Sequence, residues 1–141
     1  MKVKIKLENI KKIDREIKKL CENKVRIGFP TKVAEYASYN EFGTRNIPAR
    51  PFFRTALIYG EGREKVLNYA KDQILEITEG RNHMQILNSI GLYCKGRVVS
   101  SIKYGGWTPN APSTIKRKGN KPPLIDSSKM ISSVEFEVLK K

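Results

Sequence analysis

Between His83 and Lys103 the apolar residues Leu87, Ile90, Cys94, Val98 and Ile102 fall on one line of a helical wheel, and no proline interrupts the run. A helix of that length spans about 30 Å, roughly the width of a small domain, so every other element of the chain has to be arranged against it. A second helix is predicted just before it, over Glu61 to Thr78, with Val66, Ala70, Ile74 and Ile77 as its stripe and Gly80 closing it. Glu61 and Glu64 suit the positive end of that helix. The short connection makes the two an antiparallel hairpin.

The flanks of the chain carry a different period. Val3, Ile5 and Leu7 alternate with Lys2, Lys4 and Lys6; Val25, Ile27 and Phe29 alternate within KVRIGF (24–29); Val134, Phe136 and Val138 alternate with Glu135 and Glu137. Period two predicts three strands, each with one face on a core and one in water. The glutamates of the last strand are expected to pair with the lysines of the first. Between the first two strands, Ile10, Ile13, Ile17, Leu20 and Cys21 recur at helical spacing from an N-cap at Asn9 to about Glu22. The expectation is one α+β domain over residues 1–141, with a small antiparallel or mixed sheet of N-terminal, second and C-terminal strands on amphipathic helices.

Two further segments complete the chain. VAEYASYNEF (33–42) reads as a helix ended by a left-handed Gly43, and TRNIPAR (44–50) as an extended loop, because Ile47 and Arg50 precede prolines. Pro51 then suits the first turn of a helix carrying Phe52, Phe53, Ala56 and Leu57, interrupted by Gly60 and Gly62. Tyr104 to Ser127 is rich in glycine, proline and basic residues and reads as a long loop, mobile in the free subunit, in which PSTIKRKG forms a turn or two of helix ended by Gly119.

The chain has 28 Lys+Arg against 14 Asp+Glu, a net charge of +14. From Gly80 through Ile125 there is no acidic residue, while Arg81, Lys95, Arg97, Lys103, Lys116, Arg117, Lys118 and Lys121 are basic. A polyanion or an acidic protein surface fits that window; a lysine-rich solubilising surface is the plainer alternative. Lys116, Arg117, Lys118 and Lys121, with Tyr104 and Trp107 near them in sequence, are the candidates to face DNA or an acidic lumen. No zinc-finger, RNP or helix-turn-helix pattern accompanies them, so such contact is expected to be nonspecific.

Little in the sequence points to catalysis or to a cofactor. His83 is the single histidine and reads as a surface or capping residue. GEGRE (60–64) lacks the Lys-Ser/Thr of a phosphate loop, and the carboxylates are scattered. Cys21 and Cys94 lack metal-ligand spacing and read as two reduced, buried thiols, with a disulfide as the alternative. No enzyme activity, cofactor, metal or small-molecule ligand is expected. No run approaches the roughly 18 apolar residues of a membrane span, and MKVKIKL is not a signal-peptide pattern, which predicts a chain that stays in the cytoplasm where it is made.

Two blocks carry a likeness. EFGT (41–44) with IPARPFFR (47–54), and later WTPNAPSTIKRKG (107–119) with KPPLID (121–126), resemble in order and spacing the small neck or tail-completion proteins of long-tailed phages. That family's pattern places N-E-F-G-T and I-P-x-R-P-F after a strand similar to VRIGFP, and P-L-I-D-T-G before a final strand. The chain departs from it at Asn110 and Ala111, where Pro-Leu is common, and at Ser127 and Ser128, which stand for Thr-Gly in the turn into the last strand. The resemblance covers the chain from Lys24 onward. It implies a non-catalytic virion protein, assembled in the host cytoplasm, that joins head to tail. Its partners would be copies of itself in a ring and other neck and tail proteins.

On that expectation the interface candidates are Glu41, Phe42, Arg45, Arg50, Pro51, Phe52, Phe53, Arg54 and Trp107, a stiff loop of planar donors and apolar anchors. The plainer alternative is that Phe52 and Phe53 fill the core and Arg50 pairs with Glu41; one phenylalanine could face each way. From another class, the runner-up is a nonspecific nucleic-acid-binding accessory protein.

Overall fold

The structure is a computed structural model that describes residues 6–119, 123–124 and 128–141. Its fold is α+β, predominantly helical with one small antiparallel sheet. In chain order the elements are α1 (Leu7–Glu22), β1 (Asn23–Gly28), α2 (Thr31–Phe42), α3 (Phe52–Leu57), α4 (Gly60–Leu75), a 3-10 turn (Glu76–Glu79), α5 (His83–Tyr104), α6 (Pro112–Lys118), α7 (Lys129–Ser132) and β2 (Glu135–Lys140).

α5 is the axis. Its buried line contains Leu87, Cys94, Val98 and Ile102 of the predicted five, joined by Ile86 and Gly91, while Ile90 is half-buried. Its start is fixed by a capping box: the Asn82 side chain accepts from the Gln85 N–H, and the Gln85 side chain accepts from the Asn82 N–H. α4 runs back along α5, with the rings of Tyr69 and Tyr93 stacked at 4.0 Å between them. The predicted hairpin therefore forms, with Gly80 left-handed at φ 97° at the end of the 3-10 turn. Of the predicted α4 stripe, Ile77 is buried but Ile74 is 43% exposed.

β1 and β2 pair antiparallel with Val25 opposite Val138 and Ile27 opposite Phe136. The inward side chains of the sheet lie on α5. Gly91 permits the closest approach, because any side chain there would occupy the space of the Phe136 ring. The main core gathers Phe52 and Ala56 of α3, Ala37 of α2, Val98 and Ile102 of α5, and Met130, Val134 and Leu124 from the C-terminal part. Phe52, Ile86, Val98, Ile102, Met130 and Val134 are buried almost completely, each contributing about 1.5–3 kcal/mol of apolar burial.

Several local expectations need correction. α1 begins at Leu7 after Lys6, with no side-chain cap, so Asn9 is inside the helix and Leu7 belongs to it, not to a strand. The rest of the expected N-terminal strand, residues 1–5, lies outside the described residues. Glu137 is paired with Arg26 of β1, through Arg26 Nε at 2.7 Å, which gives it a partner in the neighbouring strand. Pro51 precedes α3 as its cap, and α3 and α4 break at Ile58 and Tyr59, with Gly60 opening α4. Gly43 has a positive φ of 77° but an extended ψ of 165°. A Cβ at Gly43 would come within 2.9 Å of the Ala49 backbone nitrogen, so the loop closes against it. Cys94 is buried but Cys21 is exposed, since α1 presents that side to water. Of the Tyr104 to Ser127 segment, α6 closes at Gly119 as expected. Trp107 donates to the Ser101 carbonyl at 2.7 Å, and Leu124 is buried in the core.

Candidate protein-interaction surface

The loop expected to be an interface divides into an inner and an outer set. Arg50, Phe52 and Glu41 are 4%, 1% and 6% exposed, and so are closed to a partner. A buried guanidinium has to find acceptors for its donors. Arg50 Nε donates to the Thr108 carbonyl at 2.8 Å, one terminal nitrogen to Asn40 Oδ1 at 3.1 Å, and the other to the Pro109 carbonyl at 3.3 Å and Asn110 Oδ1 at 3.4 Å. The Arg50 N–H also donates to the Asn40 carbonyl at 2.7 Å. Desolvation lowers the Arg50 pKa from its ordinary value. Arg50 is thus a strut that ties α2 and its following loop to the segment after α5. The suggested pairing of Arg50 with Glu41 does not form.

Glu41 is instead the N-terminal anchor of α3. Its carboxylate accepts from the N–H groups of Phe53 at 2.9 Å and Arg54 at 3.1 Å, and from Arg54 Nε at 2.7 Å. A carboxylate at free helical N–H groups is favoured by both hydrogen bonding and the helix dipole. The same contact turns the Arg54 guanidinium outward, over the Phe42 ring at 4.6 Å from its centroid and within 5.7 Å of the Tyr59 centroid. Glu41 raises the Arg54 pKa, chiefly through that hydrogen bond.

The outer set is therefore Phe42, Arg54 and two residues that the sequence did not single out, Ile58 and Tyr59. Phe42 is 64%, Ile58 49% and Tyr59 52% exposed. Beside them an open groove of about 380 Å³ runs between β1, α2 and α3, lined by Phe29, Ala34, Phe42, Phe53 and Ile58 among others. Of the two phenylalanines, Phe52 faces the core and Phe53 the groove, its ring 6.3 Å from that of Phe29. Pro51 is half-buried and Arg45 exposed. Trp107 is half-buried on the core, held by the Ser101 carbonyl.

Of the basic candidates, Lys116 and Arg117 are exposed on α6. Lys118 ends that helix, and Lys121 lies outside the described residues. Further back in the acid-free window, Arg81 is bound to Glu76, Gln73 and Ser89, which removes it from the free charge. His83 is neither a surface residue nor the cap: its N–H donates to Glu16 Oε2 at 2.8 Å and its ring Nδ1 lies 2.7 Å from the same oxygen. Among the described residues no group of three His, Cys, Asp or Glu could hold a metal ion, and no helix is long and apolar enough to cross a membrane.

The residues that the sequence reading missed are mainly Asn40, Ile58 and Tyr59. Asn40 carried a signal, since a polar side chain one turn on from Ala37, on the inward face of α2, has to have a buried partner. Comparison with known proteins adds nothing further, as no family model, curated protein or solved structure matches the chain.

Proposed function

We propose that this protein is a structural virion and assembly component of a tailed phage or prophage, a neck or tail-completion protein that joins head to tail as a ring. The observation that carries the reading is the Arg50 strut. The two sequence blocks that resemble the family stand more than fifty residues apart, and Arg50 of the first donates directly to Thr108, Pro109 and Asn110 of the second. A likeness spread over two distant blocks is more specific when both belong to one buried structural unit. Ser128 adds to this. It stands where the family pattern has glycine, and it adopts the left-handed conformation, φ 57° and ψ 6°, that glycine favours.

In this reading the Phe42, Arg54, Ile58 and Tyr59 surface is a contact patch, with aromatic and arginine anchors over an apolar groove. Lys116 and Arg117 would face DNA or an acidic lumen. The test is complementation of a deletion phage with wild-type protein or with Phe42→Asp, which alters an exposed ring and leaves the buried strut intact. Separate full heads and free tails in electron micrographs are expected for the mutant. Normal infectious particles from the deletion phage without complementation would sink the joining function. Retention on DNA that is lost by Lys116→Gln with Arg117→Gln, in a phage that still joins its heads to tails without the protein, would favour the nucleic-acid-binding alternative.

A further inference from the structure

Among the described residues the two-stranded sheet has open backbone on both sides. The Lys141 N–H donates to the Glu22 carbonyl at 2.9 Å, one step beyond the pairing of Asn23 with Lys140. Glu22 and Lys141 are therefore a hydrogen-bonded pair, and antiparallel alternation makes Lys24 with Leu139 and Arg26 with Glu137 hydrogen-bonded pairs too. The N–H and C=O groups of Val25 and Ile27 then point away from β2, and those of Phe136 and Val138 away from β1. Among the described residues none of these groups has a hydrogen-bond partner.

The solvent faces of the two strands carry opposite charge. Lys24 and Arg26 are exposed on β1, and Glu135 and Glu137 on β2. We propose that the outer edge of β1 takes the outer edge of β2 from a second copy of this chain, antiparallel and in the register found within one copy. Val25 and Ile27 then exchange hydrogen bonds with Val138 and Phe136 of the neighbour, and Arg26 lies opposite the neighbour's Glu137. The inward apolar side chains stay on one face and the charged ones on the other, because opposed residues of adjacent strands share a face.

Charge selects this pairing over the others. Two β1 edges would set Lys24 and Arg26 against their own kind, and two β2 edges would do the same with Glu135 and Glu137; like charges directly opposed are unfavourable. The residues that stop like edges from joining thus direct unlike edges together. An unlike-edge contact is head-to-tail and repeats, leaving one free edge of each kind until a ring closes. The closing into a ring rests on the neck reading; the edge contact does not.

The test uses the full chain with Cys21→Ser as background and two separate variants, Arg26→Cys and Glu137→Cys. Across the proposed contact these positions form a non-hydrogen-bonded pair, where the Cα atoms approach to about 4.5 Å and a disulfide can form. Mixing the two variants under mild oxidation is expected to give a covalent mixed dimer, with neither variant giving one alone. Arg26→Glu and Glu137→Arg should each lose the oligomer seen by native mass spectrometry, and the double swap should restore it, with melting curves showing that every variant folds. A dominant dimer from Arg26→Cys alone would overturn the proposal in favour of like edges. Oligomers without a mixed disulfide would place the contact elsewhere, overturning the edge pairing but not the neck function. A chain that stays monomeric without cross-linking overturns the edge pairing as well, while the neck function is decided separately by the deletion phage.

Discussion

Arg50 is a buried charge, whereas α1 is a whole helix without a buried residue. Arg50 is 4% exposed and its donors reach Asn40 of α2 and the backbone beyond α5. α1 has sixteen residues and none of them is buried; Leu7, Ile10 and Ile17 on its apolar side are 67%, 48% and 45% exposed. Around Arg50, a charge that is expensive to desolvate is retained because distant carbonyls satisfy it, which specifies one arrangement of three segments. Along α1, ample apolar surface makes few demands, and its side-chain hydrogen bond to α5 runs from His83 to Glu16. Uniqueness of the fold is concentrated in the first region, and spare sticky surface in the second.

Replacing Arg50 by Met tests that contrast most severely. The Asn40, Thr108 and Pro109 oxygens would lose their donor, and a loss of about 3–5 kcal/mol is expected in urea denaturation. A cost under about 1 kcal/mol would show that the strut is replaceable and erase the contrast. Glu41→Gln should cost about 2 kcal/mol, since an amide serves the Phe53 and Arg54 N–H groups less well and abandons the Arg54 charge.

For α1 the expected effects are smaller. Glu16→Gln should cost about 1 kcal/mol at neutral pH. The His83 N–H and imidazole hold the Glu16 carboxyl below its ordinary value of 4.5. A lowered carboxylate pKa stabilises the fold at pH above that value, and the contribution disappears as pH falls through the folded-state pKa. Wild type and variant should therefore converge in thermal stability towards acid pH; a constant gap would mean that the carboxylate charge plays no part. Smallest of all, Ile17→Gln should change stability by no more than about 0.5 kcal/mol, because half of that side chain is already in water. A loss of 2 kcal/mol or more, or one that depends on protein concentration, would show that the face is covered in solution.

The readable parts of this fold are those set by local period. The α5 line, the β1 and β2 alternations and the turn at Gly80 follow from residues within one helix, strand or turn. The helix start at Asn82 was available too, as Asn82 and Gln85 form a capping box that the apolar spacing alone does not reveal. What lay beyond reach were choices between chemically equal partners. Glu41 has Arg45, Arg50 and Arg54 nearby in sequence, and the structure gives it Arg54, because α3 presents two free N–H groups to the same carboxylate. Arg50 is then satisfied by carbonyls 58 and 59 residues away, and a carbonyl has no signature in a sequence. For the candidate interface, the sequence identified the loop but not the division between Arg50, Phe52 and Glu41 inside and Phe42 and Arg54 outside. That division depends on which side of α3 meets α5 and which side of α2 meets α3 and α7.

The contrast between the two thiols also makes the chain its own clock. Cys21 is exposed on α1, while Cys94 is buried on α5 and its burial raises its pKa, so that little reactive thiolate is present in the native state. A thiol reagent should modify Cys21 at once and Cys94 only during excursions that lift a neighbour off the central helix. The lag between the first and second additions of mass reads the frequency of those excursions directly, with no label and no substitution.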